Sequence, residues 1–345
     1  MRRMSNRFVS LLTWMLGDRR RLLCLSVAVF ALGIGLLVIN HASMRWYSEA
    51  WVRNRLPPAG CFIEGEAAFS FAVMGDSAGN EHPFEAILEH VQGQDVAFIL
   101  HLGDQAKRRS IQHFEWLLQE YAEELGEVSL FVVPGNHDVT KDQGDLRLRH
   151  YNRAFGQANY WFTYGETLFI GLDTSDSRFP VERQAWLERV LNRMRPLFDT
   201  CVVFAHVPPV DRRPGQSHCM KEDAAELGNI LSRHDVDALF CGHIHEFRAT
   251  TFCDVPLYIG PPAGQTMRGA TKEFGYMLCA VKEDGTIEVR HVPVTSVSNS
   301  EYTEYVVSSK LYKVLFCVVA LCFAVAQLGM YMLYRRASSP AHGHT

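Results

Sequence analysis

Seven apolar runs of strand length recur between residues 69 and 262, and each stops at Gly, Asp, His, Asn or Pro. They read FSFAVMGD, VAFILHLGD, SLFVVPGNHD, TLFIGLDTS, TCVVFAHVP, DALFCGHIH and VPLYIGPP. Near-continuous apolar runs rich in Val, Ile and Phe predict strands buried on both faces. Amphipathic patterns at helical spacing lie between them, at Pro83–Val91, Ile111–Tyr121, Arg183–Leu191 and Glu222–Leu231. Strand–helix alternation of this kind predicts α/β layering. The stretch YMLCAVKEDGTIEVRHVPV adds a hairpin with its turn at Asp284-Gly285.

Two other runs are apolar for longer. Residues 22–39 carry no charge, and residues 314–333 carry Gln327 as their one strongly polar group. At ~1.5 Å per residue each nearly spans the ~30 Å hydrocarbon core of a bilayer, and neither has a polar face. They read as one transmembrane helix at each end of the chain. Six arginines precede the first, and Arg335 and Arg336 follow the second. The positive-inside rule then puts both termini in the cytoplasm. On this reading the chain divides into a cytoplasmic segment 1–21, a span 22–39, an extracytoplasmic domain 41–309, a span 314–333 and a cytoplasmic tail 335–345. The domain core is expected at about 69–294, after a linker Arg45–Gly60 stiffened by Pro57-Pro58. Within 41–309, 37 acidic side chains outnumber 24 basic ones. Nucleic acid is therefore not expected as a partner, since it requires a basic footprint. Six of the nine cysteines fall outside the spans and none forms a CxxC pair, which argues against a cysteine zinc site.

In open α/β sheets, ligands bind beyond the carboxyl ends of strands. Five of the runs end there in groups able to hold a metal: Asp76, Asp104, Asn136-His137-Asp138, His206, and His243 with His245. A packed core gains nothing from such residues, whereas gathered on one edge they make a site. Singly each is ordinary, because Gly-Asp is a common turn and Gly-Asn-His-Asp can form an Asx turn. Their order is the stronger signal. Asp76-Ser77-Ala78, Gly103-Asp104, Gly135-Asn136-His137-Asp138, His206 and Gly242-His243-Ile244-His245 together resemble the signature of the calcineurin-like metallophosphoesterase superfamily. The resemblance covers roughly Phe69 to Val294. It implies a four-layer αββα sandwich of two mixed sheets, with two divalent metal ions at the strand ends. By motif position Asp104 would bridge the ions, Asp76 and His245 would complete one site, and Asn136, His206 and His243 the other. Metal-bound hydroxide would attack phosphorus, His137 would protonate the leaving group as general acid, and Asp138 would orient that imidazole. A mixed N/O donor set suits Mn²⁺, Fe or Zn²⁺ better than Ca²⁺.

The first motif departs from the pattern. Ala78 stands where the superfamily usually has histidine, and a methyl group cannot coordinate. The Asp76 site is therefore expected to bind its ion more weakly, with solvent, Asn80, His82 or His101 as alternatives for the open position. Purple acid phosphatases supply a tyrosine after the second Gly-Asp, but here Gln105-Ala106-Lys107 follows Asp104. Arg108, Arg109 and Arg212 follow metal-bearing strand ends and are candidates for contact with substrate phosphate. His218 is expected to be exposed, and Trp161, Phe162 and Trp186 to pack the core. The function implied is a metallophosphoesterase acting on a monoester, diester or pyrophosphate of a small molecule or lipid head group. Anchors at both ends would hold it close to the membrane. The alternative is a degenerate relative serving as a membrane scaffold or ligand sensor, a reading that Ala78 keeps open.

Overall fold

The computed structural model describes residues 60–78, 81–106, 109–142, 144–266 and 273–294. The two expected spans, the linker up to residue 59, Asn80 and Arg108 lie outside the described residues, as does the His82 side chain. Among the described residues no helix is long and apolar enough to cross a membrane.

In chain order the elements are β1 (Cys61–Ile63), β2 (Phe69–Met74), α1 (Glu81–Gln92), β3 (Phe98–His101), α2 (Ile111–Glu124), β4 (Ser129–Val132), α3 (Arg149–Phe155), β5 (Tyr160–Tyr164), β6 (Thr167–Leu172), α4 (Val181–Met194), β7 (Thr200–Ala205), α5 (Ala224–Arg233), β8 (Ala238–Cys241), β9 (Arg248–Phe252), β10 (Val255–Ile259), β11 (Gly275–Val281) and β12 (Ile287–Pro293). All seven apolar runs are strands. Four helices coincide with the amphipathic patterns, and α2 is capped by Ser110, whose Oγ accepts from His113 N at 3.3 Å. β11 and β12 pair as the expected hairpin.

Two mixed sheets result, ordered β1-β5-β6-β7-β8-β10-β9 and β12-β11-β2-β3-β4. Strand alternation sorts each strand's side chains between two cores. In β2, Phe71 and Val73 enter the layer between the sheets, while Ala72 and Met74 face α1 and α2. In β7, Val202 and Phe204 point inward, while Cys201, Val203 and Ala205 pack under α4 and α5. The inner layer is aromatic, with Phe131 stacked on Phe162 at 3.5 Å between ring centroids. Burial on both faces explains why these strands read as unbroken apolar runs.

Phe162 is fully buried as expected, whereas Trp161 and Trp186 are only half-buried, at the edge of the α4 side. β1, β5, β9 and α3 carried too little pattern to be foreseen; β9, for example, reads Arg-Ala-Thr-Thr-Phe with no buried position. All six described cysteines are free. Burial pushes the Cys201 thiol up to about 12 and raises Cys241 and Cys279 as well, leaving inert thiols in the core.

Candidate metal centre

The carboxyl ends of β2, β3 and β4 in one sheet face those of β7 and β8 in the other, and the motifs that follow one another along the sequence become a single cluster. Main-chain bonds continue the pairing past the strands: Asp76 N donates to Gly103 O at 2.9 Å, and Gly242 N to His206 O at 2.9 Å. Four of the candidate ligands then turn into the left-handed region, with φ of 53° at Asp76, 56° at Asp104, 69° at His243 and 59° at His245. That conformation is uncommon outside glycine, and such strain, of order ~1–3 kcal/mol per residue, persists where the surroundings enforce it. Gly103 and Gly135 permit the close approach beneath them. A Cβ on Gly135 would lie 2.1 Å from both Asp104 N and Asp104 Oδ1.

Six predicted ligands converge. Donor atoms of Asp104, His206 and His243 form one group, and those of Asp76, Asp104 and His245 a second, each within 4.8 Å. Asp104 belongs to both. Asn136 Oδ1 lies 3.0 Å from His206 Nε2, His243 Nδ1 3.2 Å from the same nitrogen, and His245 Nε2 3.3 Å from Asp76 Oδ1.

Hydrogen bonding assigns the tautomers. His206 Nδ1–H donates to Leu102 O at 2.8 Å, and His245 Nδ1–H to Thr266 O at 2.7 Å. In the neutral rings each Nε2 then turns a bare lone pair toward the cluster. The fit to cations follows from what these lone pairs face. His206 Nε2 is crowded by the Asn136 carbonyl oxygen and a carboxylate oxygen of Asp104 at 3.5 Å, acceptors with no proton to share, and only His243 Nδ1 at 3.2 Å could offer it one. Asp76 Oδ1 is buried and has no hydrogen-bond partner. Cations resolve both defects, and the N/O donor set is one that divalent transition metals accept. Burial opposes ionisation of Asp76, but positive charge beside it, first of all at His245, holds its carboxyl below the usual range. Burial and the neighbouring His206 push His243 down to about 3, keeping it a neutral donor.

His137 lies beside the cluster without belonging to it. Its N–H donates to Asp104 Oδ1 at 2.7 Å, its Nε2 is 3.9 Å from Asp104 Oδ2, and half of its side chain is open to solvent. The expected role of Asp138 is overturned. Its Oδ1 accepts from Gln105 N at 3.0 Å and Ala106 N at 2.8 Å, and its Oδ2 accepts from Gly135 N at 2.8 Å. It is buried and holds the loops bearing Asp104 and Asn136 together; it does not orient the His137 ring.

Around position 78 the structure also separates the alternatives. Ala78 only donates its N–H to Asp104 O at 2.9 Å. His101 is fully buried, accepts Gly103 N at Nδ1 (3.2 Å), and so donates from Nε2 to Ser77 Oγ at 3.1 Å. With both nitrogens engaged it cannot replace the missing imidazole. Gln265, which no sequence signal marked, lies instead at this site, with Nε2 3.3 Å from Asp104 Oδ2.

The outer residues divide. Arg109 donates to Asn136 O at 3.2 Å and so reaches the rim. Beside it, a cleft of about 800 Å³ is lined by Arg109, Asn136, Lys141, Arg147 and Lys221, among others. Arg212 is exposed and donates to Thr251 O at 3.4 Å. His218 is corrected: it is half-buried, its ring centroid is 6.0 Å from that of His243, and its Nδ1 is buried without a partner.

Comparison with known proteins agrees with this geometry. The mouse serine/threonine-protein phosphatase CPPED1 is 25% identical over 150 residues, covering 40% of this chain and 48% of the mouse protein. A cAMP/cGMP dual specificity phosphodiesterase of Mycobacterium tuberculosis is 26% identical over 173 residues, covering 48% of this chain and 52% of that protein. A probable glycerophosphodiester phosphodiesterase of Arcobacter nitrofigilis is 28% identical over 156 residues, covering 39% and 52%. The matches thus span about half the length of these relatives. Among solved structures, GAP50, the anchor in the inner membrane complex of Plasmodium, shares the fold with a TM-score of 0.52 at 15% identity, over 68% of this chain and 87% of its own. A purple acid phosphatase from yellow lupin gives 0.50 at 14% identity, over 65% and 51%. The family model for calcineurin-like phosphoesterases matches residues 69–247, from the start of β2 to just beyond His245. The chain belongs to the calcineurin-like phosphoesterase family.

Proposed function

We propose that this chain is a two-metal hydrolase of phosphate esters, held at a membrane by residues 22–39 and 314–333 with its catalytic domain on the extracytoplasmic side. One observation carries the catalytic reading: Asp104 is shared by two donor clusters, and the half-exposed His137 stands over it. Asp76, Asp104 and His245 would hold one ion, and Asp104, Asn136, His206 and His243 the other. Two divalent ions in such a site supply Lewis acidity toward phosphoryl oxygens and acidify a water.

The chain's own residues perform the rest. His137 has its backbone pinned to Asp104 Oδ1 and its ring open to solvent, so its imidazole can deliver a proton to the departing oxygen. Asp138 keeps that loop from moving. Arg109 offers a guanidinium at the cleft next to Asn136, suited to a phosphate oxygen or to a second anionic group of the substrate. A phosphorylated small molecule or lipid head group is the substrate class we favour, the lipid because anchors at both ends would keep the site near a bilayer. The scaffold reading is not favoured, since every expected ligand other than position 78 is delivered to one place.

The test is a panel of phosphate monoesters, diesters and pyrophosphates, including a lipid phosphate and its detached head group, given to the purified full chain with Mn²⁺. We expect hydrolysis, a loss of about 10³-fold or more in Asp104→Asn, and little change in Ala78→Ser. Undiminished turnover by Asp104→Asn would remove the bridging carboxylate and the mechanism with it. Equal rates on the lipid and the free head group would remove the lipid assignment.

A further inference from the structure

The deficient half of the centre has three protein donors, Asp76, Asp104 and His245, where a firmly held ion calls for four or more. We propose that Gln265 provides the missing one: its side-chain amide oxygen takes the place of the imidazole absent at position 78. This rests on the two-ion reading above and goes beyond it, since Gln265 belongs to no motif.

The loop after β10 touches each donor of that half-site. Gly264 N and Gln265 N donate to Asp76 O at 3.1 and 2.8 Å, after Ala263 N has bonded Gly75 O at 2.9 Å. Thr266 O accepts His245 Nδ1–H at 2.7 Å and thereby turns that ring's Nε2 toward Asp76. The Gln265 side chain reaches the third donor, with Nε2 3.3 Å from Asp104 Oδ2 and 3.4 Å from Asp104 O. The segment 263–266 therefore carries Gln265 on the same backbone ladder that positions Asp76.

The end of the amide that faces the carboxylate is a matter of what it meets. Facing bare oxygens, the NH₂ end turns inward; facing a cation, the carbonyl end does, and a half-turn of the terminal torsion exchanges them without moving the backbone. The other half-site would use an amide in the same way, with Asn136 presenting Oδ1 beside His206 Nε2. Among the described residues the nearby alternatives are occupied or lack a donor: Ser77 and His101 bond each other, and the Ala78 side chain has no ligand atom. A neutral oxygen in place of a nitrogen also sets the metal preference. It shifts this half-site from Zn²⁺ toward harder ions such as Mn²⁺.

The full chain, stripped by chelation, is titrated with Mn²⁺ by equilibrium dialysis with elemental analysis, and the spin-coupled Mn²⁺ pair is followed by electron paramagnetic resonance. The parent should take two ions. Gln265→Ala should keep the first and lose the second by at least about 10-fold, together with the coupled signal, since even outer partners of a metal ligand are worth that much. Adding Ala78→His to Gln265→Ala should restore the second ion and move its preference toward Zn²⁺. Gln265→Glu should tighten the second ion above the parent, which keeps the test intact should the alanine variant fold poorly. Both ions retained at parental affinity in Gln265→Ala, both weakened equally, or no tightening in Gln265→Glu would each overturn the assignment. A parent that binds a single ion would instead overturn the two-ion reading, and this is seen before any variant is made.

Discussion

Both carboxylate oxygens of Asp138 are committed to backbone amides, while its neighbour His137 leaves its ring open to solvent. Burial and the Asp104 carboxylate push Asp138 up to about 7, against the N–H donors of Gly135 and Ala106 that favour its charged form. Two adjacent residues thus fail in different ways. Asp138→Ala is expected to cost roughly 3–5 kcal/mol, because three buried amides lose their acceptor, and to abolish metal binding with it. His137→Ala should keep the fold and both ions but lose most turnover on substrates with poor leaving groups. Thermal unfolding and metal content, measured on both variants, separate the two; a stable, metal-loaded Asp138→Ala chain would return that residue to the role of orienting the acid. Gly135→Ala belongs at the same scale. Its Cβ would meet Asp104 at 2.1 Å, so we expect a loss of roughly 1–3 kcal/mol and a displaced bridging carboxylate, read as weaker Mn²⁺ binding at both sites.

Between the elements, Asp173 at the end of β6 gathers what surrounds the cleft. Its carboxylate pairs with Arg147, its N–H donates to Asn159 Oδ1 at 2.8 Å, and Arg183 from α4 bonds its carbonyl at 3.0 Å. Arg183 also clamps Asp176 at 2.6 Å and holds that carboxyl low against the pull of burial. Asp173 is almost fully buried, so Asp173→Asn leaves Arg147 without its main counter-charge. We expect roughly 3 kcal/mol of destabilisation by urea unfolding, well beyond a surface pair. A change under about 1 kcal/mol would mean that the guanidinium finds solvent instead. None of this was visible in the linear chain, where Asp173 closes an apolar run and Arg147 and Arg183 look like ordinary surface charges.

For the whole domain, acid is the informative stress. Burial pushes His101 down to about 3, so the unfolded chain takes its proton first. The contribution is complete above the ordinary histidine range near ~6.5 and is lost as pH falls toward the folded value. Asp138, pushed up to about 7, contributes with the opposite sign, but equally in a variant that alters only position 101. In chelated protein the stability of the parent should therefore fall more steeply than that of His101→Gln, by about 1.4 kcal/mol per pH unit between about pH 6 and pH 4.5. Parallel slopes in urea unfolding at several pH values would mean that His101 is protonated in the fold.

Nine strands, four helices and the six candidate ligands were readable in the chain because their signals are local: apolar runs set by double-sided burial, a hairpin turn, and groups able to hold a metal placed where those runs stop. Asp76 and His245 are 169 positions apart, yet each announces itself at the end of its own strand. The partners of those groups were decided only by the tertiary structure. Asp138 turned from His137 to three amides, His101 was consumed by Ser77 and Gly103, and Gln265 came to lie beside Asp104. A hydrogen-bond partner depends on which loops the sheets bring together, and no periodicity within a segment records what another segment will place beside it.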